Sequence, residues 1–198
     1  MSGWFAPGTW WYALPLLLLA GPLLWVDPSV GAGTFLAGLA VLVFHRDPDR
    51  DVPDSGYVSP ADGTVSVVRE EDDRLRVGVF MNVHNVHVNR APTAGAVEDV
   101  THISGAHKPA FSKDSDRNER VHVDFPDYRV TLIAGAFARR IHPYIEAGDS
   151  VERGERIGHI SFGSRVDVLF SPEIDRADLL VERGERVRAG ETVLAESA

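Results

Sequence analysis

The sequence predicts a mainly β (α+β) fold, with one β domain following an N-terminal hydrophobic helical hairpin. Three observations carry this reading. Residues 10–44 are apolar or small, with Asp27 as their only charge. From residue 51 the texture changes to short β-branched runs separated by Gly, Pro and Asp, the pattern of strands joined by turns. The stretch Val151-Glu152-Arg153-Gly154-Glu155-Arg156-Ile157 then recurs as Val181-Glu182-Arg183-Gly184-Glu185-Arg186-Val187. Units of the form V-x-x-G-x-x-V suit paired hairpins that form two facing halves, so the domain is expected to be barrel-sandwich-like. Two copies are too few for a solenoid.

The hairpin comes first. Residues 10–26, from Trp10-Trp11-Tyr12 to Trp25-Val26, form one apolar run, and Val30 to Phe44 form a second beyond Asp27-Pro28-Ser29. Each is slightly short of the roughly 20 residues of a perpendicular membrane helix, and Pro15 and Pro22 weaken the first. There is no basic segment ahead of the first run and a second run follows at once, which argues against a secretory signal. Trp10, Trp11, Tyr12 and Trp25 suit a membrane interface. Arg46 and Arg50 follow directly, and no Lys or Arg precedes them, which places the next domain on the cytoplasmic side. A buried helical pair in a soluble protein is the alternative. The expected division is 1–45 for a membrane-anchoring hairpin and 46–198 for the β domain.

In that domain Val65–Val68, Leu75–Phe80, Val121–Phe125 and Arg129–Ile133 read as strands, with room for one short helix. The charge balance, 29 acidic against 20 basic residues, gives a net charge of −9 and excludes a nucleic-acid partner, which needs a basic surface. Only Lys108 and Lys113 are lysines. Many acids, much Arg and little Lys suit a salt-rich cytoplasm, although a GC-rich genome produces the same Arg bias. The absence of cysteine excludes disulfides, thiol catalysis and thiolate metal sites.

Three segments carry candidate chemistry. Ser59-Pro60-Ala61-Asp62-Gly63 is a turn with an acid near its tip. Met81–Pro92 contains His84 and His87 among Asn and β-branched residues. On a regular strand positions three apart face opposite ways, so the segment must turn or bulge if both serve one site. No third ligand stands at metal-motif spacing, and no metal is expected. In Ile160–Val168 two β-runs are interrupted by Gly163-Ser164. Gly163 can hold its carbonyl in a strained turn, beside the Ser164 hydroxyl. That juxtaposition is the minimum needed for an N→O acyl shift, the first step of a self-cleavage. Asp, His and Ser far apart in sequence are what a base-activated hydroxyl requires.

Together these segments resemble the short, archaeal-type branch of the phosphatidylserine decarboxylase proenzyme family, which includes archaetidylserine decarboxylases. The matching pieces are Phe44-His45-Arg46-Asp47-Pro48 with Arg50, Ser59–Gly63, Met81–Pro92, Lys113 with Asn118-Glu119-Arg120, Gly135–Ile141 and Ile160–Val168. Larger members carry Ser or Thr where Arg165 stands, so the match is to the short branch.

The resemblance implies a phospholipid carboxy-lyase that processes itself. Cleavage between Gly163 and Ser164 would leave a β chain of residues 1–163 and an α chain of residues 164–198. The α chain would begin with a covalent pyruvoyl group made from Ser164, and the two chains would stay associated. By the same analogy Asp62 and His87 assist Ser164 in cleavage, and His84 acts in decarboxylation through a Schiff base with the serine phospholipid amine. The expected location is the cell membrane, with the membrane lipid as substrate. The remaining histidines, His45, His102, His107, His122, His142 and His159, read as boundary, surface or satisfied core residues. Two other readings stay open: a lipoyl- or biotinyl-like carrier, with Lys113 as its lysine, and a membrane-anchored structural module without catalysis.

Overall fold

The computed structural model describes residues 4–105, 118–135, 141–160 and 164–196. Gly163, Lys113, His107 and Arg139-Arg140 therefore lie outside the described residues. The chain divides into two units, Met1–Asp49 and Arg50–Ala198.

The first unit is a helical hairpin, α1 (Thr9–Val26) and α2 (Pro28–Phe44). Helix α1 runs through both Pro15 and Pro22, so the prolines do not end it. Asp27 caps α2, its carboxylate accepting from the N–H groups of Ser29 and Val30, and Pro28 takes the first helical position. The helices meet along small residues: Ala13 and Ala20 on α1, and Gly31 and Gly38 on α2, are buried. A Cβ added to Gly31 would lie 2.4 Å from the Leu24 nitrogen, and one on Gly38 2.7 Å from a Leu17 methyl. This is the close approach that small residues permit in membrane helix pairs. The outer surface is apolar, with Trp11, Leu18, Trp25, Leu36 and Val43 all exposed. Of the two, α1 is long and apolar enough to cross a membrane by length and composition.

The second unit is built of strands: β1 (Tyr57–Val58), β2 (Gly63–Glu71), β3 (Arg74–Phe80), β4 (Val88–Arg90), β5 (Gly95–Ala96), β6 (Asp99–Ile103), β7 (Arg120–Asp124), β8 (Arg129–Ile133), β9 (Ile141–Pro143), β10 (Ser150–Val151), β11 (Arg156–Ile160), β12 (Arg165–Leu169), β13 (Arg186–Val187) and β14 (Val193–Ala195). No helix occurs among its described residues, so the short helix allowed for in the sequence is not found there. A seven-stranded antiparallel sheet has the order β13-β2-β3-β12-β8-β7-β6, and β4-β11-β9 form a second sheet. Strand β12 therefore sits at the centre of the large sheet. Its Val166 and Val168 face the core with Val77, Val79, Val130 and Leu132, as period-2 alternation requires.

The repeat extends further than the two copies evident in the sequence. Four turns, at residues 145–151, 151–157, 181–187 and 187–193, share an apolar residue, a glycine three positions on, an acid and a closing apolar residue. The glycines have positive φ: +96° at Gly148, +74° at Gly154, +97° at Gly184 and +74° at Gly190, a region where glycine escapes the Cβ penalty. Each turn docks on a strand partner through backbone bonds. Gly148 N–H donates to Val97 O, Gly154 N–H to Ala91 O, Gly184 N–H to Val65 O and Gly190 N–H to Ser59 O, all at 2.8 Å. Ser59–Val65 and Ala91–Val97 are thus counterparts, and they cross-bond: Val58 N–H donates to Pro92 O and Arg90 N–H to Pro60 O. The domain core is a pseudo-twofold pairing of two such halves.

Candidate active site

Ser164 stands immediately before β12 and is fully buried. Its hydroxyl has no hydrogen-bond partner among the described residues. Buried hydroxyls in native structures are usually hydrogen-bonded. The Ser164 carbonyl is held, accepting from the Met81 N–H at 2.8 Å.

The segment after β3 packs against this point. Residues 82–85 turn, with Asn85 N–H donating to Asn82 O at 3.0 Å and Asn82 N–H to Asn85 Oδ1 at 2.8 Å. The segment turns here, and the pair lies apart: His84 is exposed and His87 is buried. The His87 carbonyl accepts from Ile160 N–H at 3.2 Å. The Met81–His87 loop is thus bonded at one end to Ser164 and at the other to Ile160. His87 Nδ1 lies 2.9 Å from the Asn85 carbonyl. A carbonyl only accepts, so Nδ1 carries the proton and, in the neutral ring, Nε2 keeps the basic lone pair.

Asp62 lies elsewhere in the hydrogen-bond network. Its carboxylate takes both oxygens to Arg50 Nη2, at 3.0 and 3.1 Å, and accepts from Ala189 N–H at 2.9 Å. Arg50 also reaches Glu191 at 3.4 Å. Among the described residues, no side-chain hydrogen bond joins Asp62 to His87, or either of them to Ser164. The pseudo-repeat places Ala94 at the counterpart of Asp62, so the scaffold itself does not require an acid at this position.

Sequence reasoning missed a buried ion cluster next to Ser164. Arg165 Nε and Nη2 donate to Asp167 at 2.7 and 2.9 Å, and Arg76 Nη1 reaches the same carboxylate at 3.1 Å. Asp167 is 1% exposed. Gly78, opposite it on β3, makes room, since a Cβ there would lie 2.5 Å from Asp167 Oδ1. The signal was present in the i,i+2 spacing of Arg165 and Asp167, which places both on one strand face.

The same face carries His122. Its Nδ1 lies 2.9 Å from Thr131 Oγ1, and Arg120 Nε donates to its Nε2 at 3.3 Å. Burial, reinforced by Arg129 and Arg120, pushes its pKa below the ordinary histidine value. The Asn118-Glu119-Arg120 run leads into β7. Asn118 is buried and donates to Ala134 O, and Glu119 pairs with His102 at 2.9 Å.

The fold and site define a class: a β domain of two related halves, with a buried serine at the head of its central strand. Sequence comparison gives the family. The chain belongs to the phosphatidylserine decarboxylase family, whose sequence profile matches residues 38–195. It is 58% identical over 190 residues to a Halobacterium salinarum protein assigned as an archaetidylserine decarboxylase proenzyme, covering 96% of this chain and 97% of that one. It is 46% identical over 196 residues to the phosphatidylserine decarboxylase proenzyme of Streptomyces griseus, covering 96% and 89%. A Methanosarcina mazei protein, also assigned as an archaetidylserine decarboxylase proenzyme, is 47% identical over 161 residues, covering 78% and 74%.

Proposed function

We propose that this chain is the self-processing precursor of a pyruvoyl-dependent decarboxylase that converts phosphatidylserine or archaetidylserine to the ethanolamine phospholipid and CO2. Family membership supports the carboxy-lyase reading, and the names of the relatives, proenzymes of these two activities, support the substrate class and the processing. The observation that carries the assignment to this chain's own residues is the Ser164 hydroxyl, buried without a partner at the head of the central strand. The hydroxyl belongs to the residue directly after Gly163, whose carbonyl it would attack, and among the described residues no hydrogen bond engages it.

In this reading Gly163-Ser164 is the cleavage site. His87, with its proton on Nδ1, offers Nε2 as the base that takes the Ser164 proton. Its main-chain bond to Ile160 ties it to the strand that precedes Gly163 in the chain. Asp62, fixed by Arg50 and Ala189, assists cleavage from its own position in the network. His84, exposed on the 82–85 turn, is placed to meet a substrate arriving from outside and to return a proton to carbon. A pyruvoyl ketone supplies the carbonyl that condenses with the substrate amine and takes up the electrons left by CO2.

The architecture also supports continued association of the α and β chains. Residues 164–198 contribute β12, which lies between β3 and β8, together with β13 against β2 and β14 against β1. Cutting the chain before Ser164 leaves all these pairings in place. The hairpin would hold the enzyme at the cell membrane with the β domain on the cytoplasmic side, where a lipid substrate need not leave the bilayer. Denaturing electrophoresis of the purified protein, with Ser164→Ala beside it, tests the reading. Two chains are expected from the wild type and one from the variant, and an active wild type that remains uncut would refute it. The carrier alternative is not favoured, because the relatives carry decarboxylase names.

A further inference from the structure

We propose that the backbone N–H of Met81 is the oxyanion donor of the decarboxylation, directed at the carbonyl oxygen of residue 164. This rests on the reading of Ser164 as the precursor of the reactive ketone, and adds to it a group that no side-chain motif encodes.

The first support is geometric. Met81 N–H donates to Ser164 O at 2.8 Å, within the range of a strong amide hydrogen bond. The second is chemical. Processing alters the nitrogen, Cα, Cβ and hydroxyl oxygen of Ser164, but it leaves the carbonyl and its amide link to Arg165 intact. The same oxygen is therefore present in the mature enzyme, adjacent to the ketone carbon. When the carbon–carbon bond to the substrate carboxylate breaks, CO2 departs and the bond pair flows through the conjugated system toward that carbonyl. Its oxygen takes the charge until a proton returns to carbon. A donor already in place there, inside a water-poor site, stabilises that charge without reorganisation.

The third support is that both partners are fixed independently of the bond that is cut. Downstream, Arg165 pairs with Phe80 and with Ile133 across the central strand, and the buried bidentate bond to Asp167 anchors its side chain. On the donor side, Met81 is fully buried, and its sulfur accepts from Asn89 Nδ2 at 3.6 Å. Strand β3, ending at Phe80, carries the Met81 nitrogen to this position. Loss of the link to Gly163 thus leaves the donor and the oxygen where they are.

The chain has two methionines, so labelling with [15N]methionine gives few amide resonances, and the one lost in Met81→Leu is that of Met81. In the detergent-solubilised full-length protein this amide should exchange slowly with solvent, both in the wild type and in Ser164→Ala. Its proton shift should move when phenylhydrazine caps the ketone of the wild type, and should not move in Ser164→Ala. Free exchange in the processed protein, or a shift indifferent to phenylhydrazine, would overturn the proposal. Replacing Met81 by its α-hydroxy acid counterpart removes the N–H and keeps the side chain. Cleavage should proceed, with kcat lower by on the order of 10²-fold and KM little changed. Normal cleavage with unaltered kcat would overturn this proposal alone. Absence of a 164–198 fragment from the wild type would overturn the reading of Ser164, and this proposal with it.

Discussion

Asp167 holds the guanidinium of Arg165 by two hydrogen bonds, of 2.7 and 2.9 Å, on the strand face opposite the apolar core. Both side chains are almost wholly buried, and Arg76 reaches the same carboxylate. Asp167→Ala should destabilise the folded protein by about 3–5 kcal/mol, the cost of removing the acid from a buried ion cluster. Gly78→Ala should also destabilise it, because the added Cβ would collide with Asp167 Oδ1. Urea unfolding midpoints of the three proteins check both expectations, and a midpoint unchanged in Asp167→Ala would refute the first.

The two histidines of the 81–92 segment should separate two activities. His87 is buried and bonded through its main chain to Ile160, whereas His84 is exposed on the turn. His87→Ala should accumulate the uncut precursor. His84→Ala should cleave normally and lose decarboxylation by about 10²–10⁴-fold, the usual contribution of a positioned acid or base. Electrophoresis with an assay of released CO2 distinguishes them, and normal processing of both variants would remove the role given to His87.

Acid should weaken the fold through His122. Its folded-state pKa lies below the ordinary value of 6.5, through burial first and the nearby arginines second. The unfolded chain therefore binds the proton more readily than the folded one. The contribution of His122 is fully present above about pH 6.5 and declines as pH falls below that value toward the depressed folded pKa. The thermal midpoint of His122→Gln should fall less steeply over that window than that of the wild type. Parallel curves would contradict this account.

The hairpin should behave as a packed pair of helices. Gly31→Leu would drive a side chain into the Leu24 backbone, where even a Cβ would lie 2.4 Å away, and should separate α1 from α2. The wild type should remain with membranes through a high-salt wash, because apolar attachment is not screened as an arginine-only anchor would be. Sedimentation after salt and after detergent tests this. Release by salt alone would refute a hydrocarbon-embedded anchor.

Much of this was legible in the sequence because it rests on periodicity. The helices fall within two residues of the apolar runs, β3, β7 and β8 fall within one residue of the β-branched runs, and β2 extends the Val65–Val68 run at both ends. The spacing of His84 and His87 called for a turn only if both serve one site; the segment does turn, with one histidine exposed and the other buried. Long-range partners were less accessible. Asp62 is bonded to Arg50 and Ala189, and Ala189 lies on a distant turn that no local pattern links to it. Half of the repeat was hidden because the 145–151 and 187–193 copies retain the glycine and acid but change the residues around them. The Met81 bond was unreadable for a simpler reason: a backbone N–H has the same chemistry at every non-proline residue, and only the fold aims it.

The most direct measurement is the intact mass of the purified wild-type protein under denaturing conditions. Two species are expected, residues 1–163 and residues 164–198, with the smaller lighter by one ammonia than a serine-ended fragment and blocked to N-terminal sequencing. Ser164→Ala should give a single full-length mass. A catalytically active wild type with one uncut mass, or a 164–198 fragment that still begins with serine, would contradict the account.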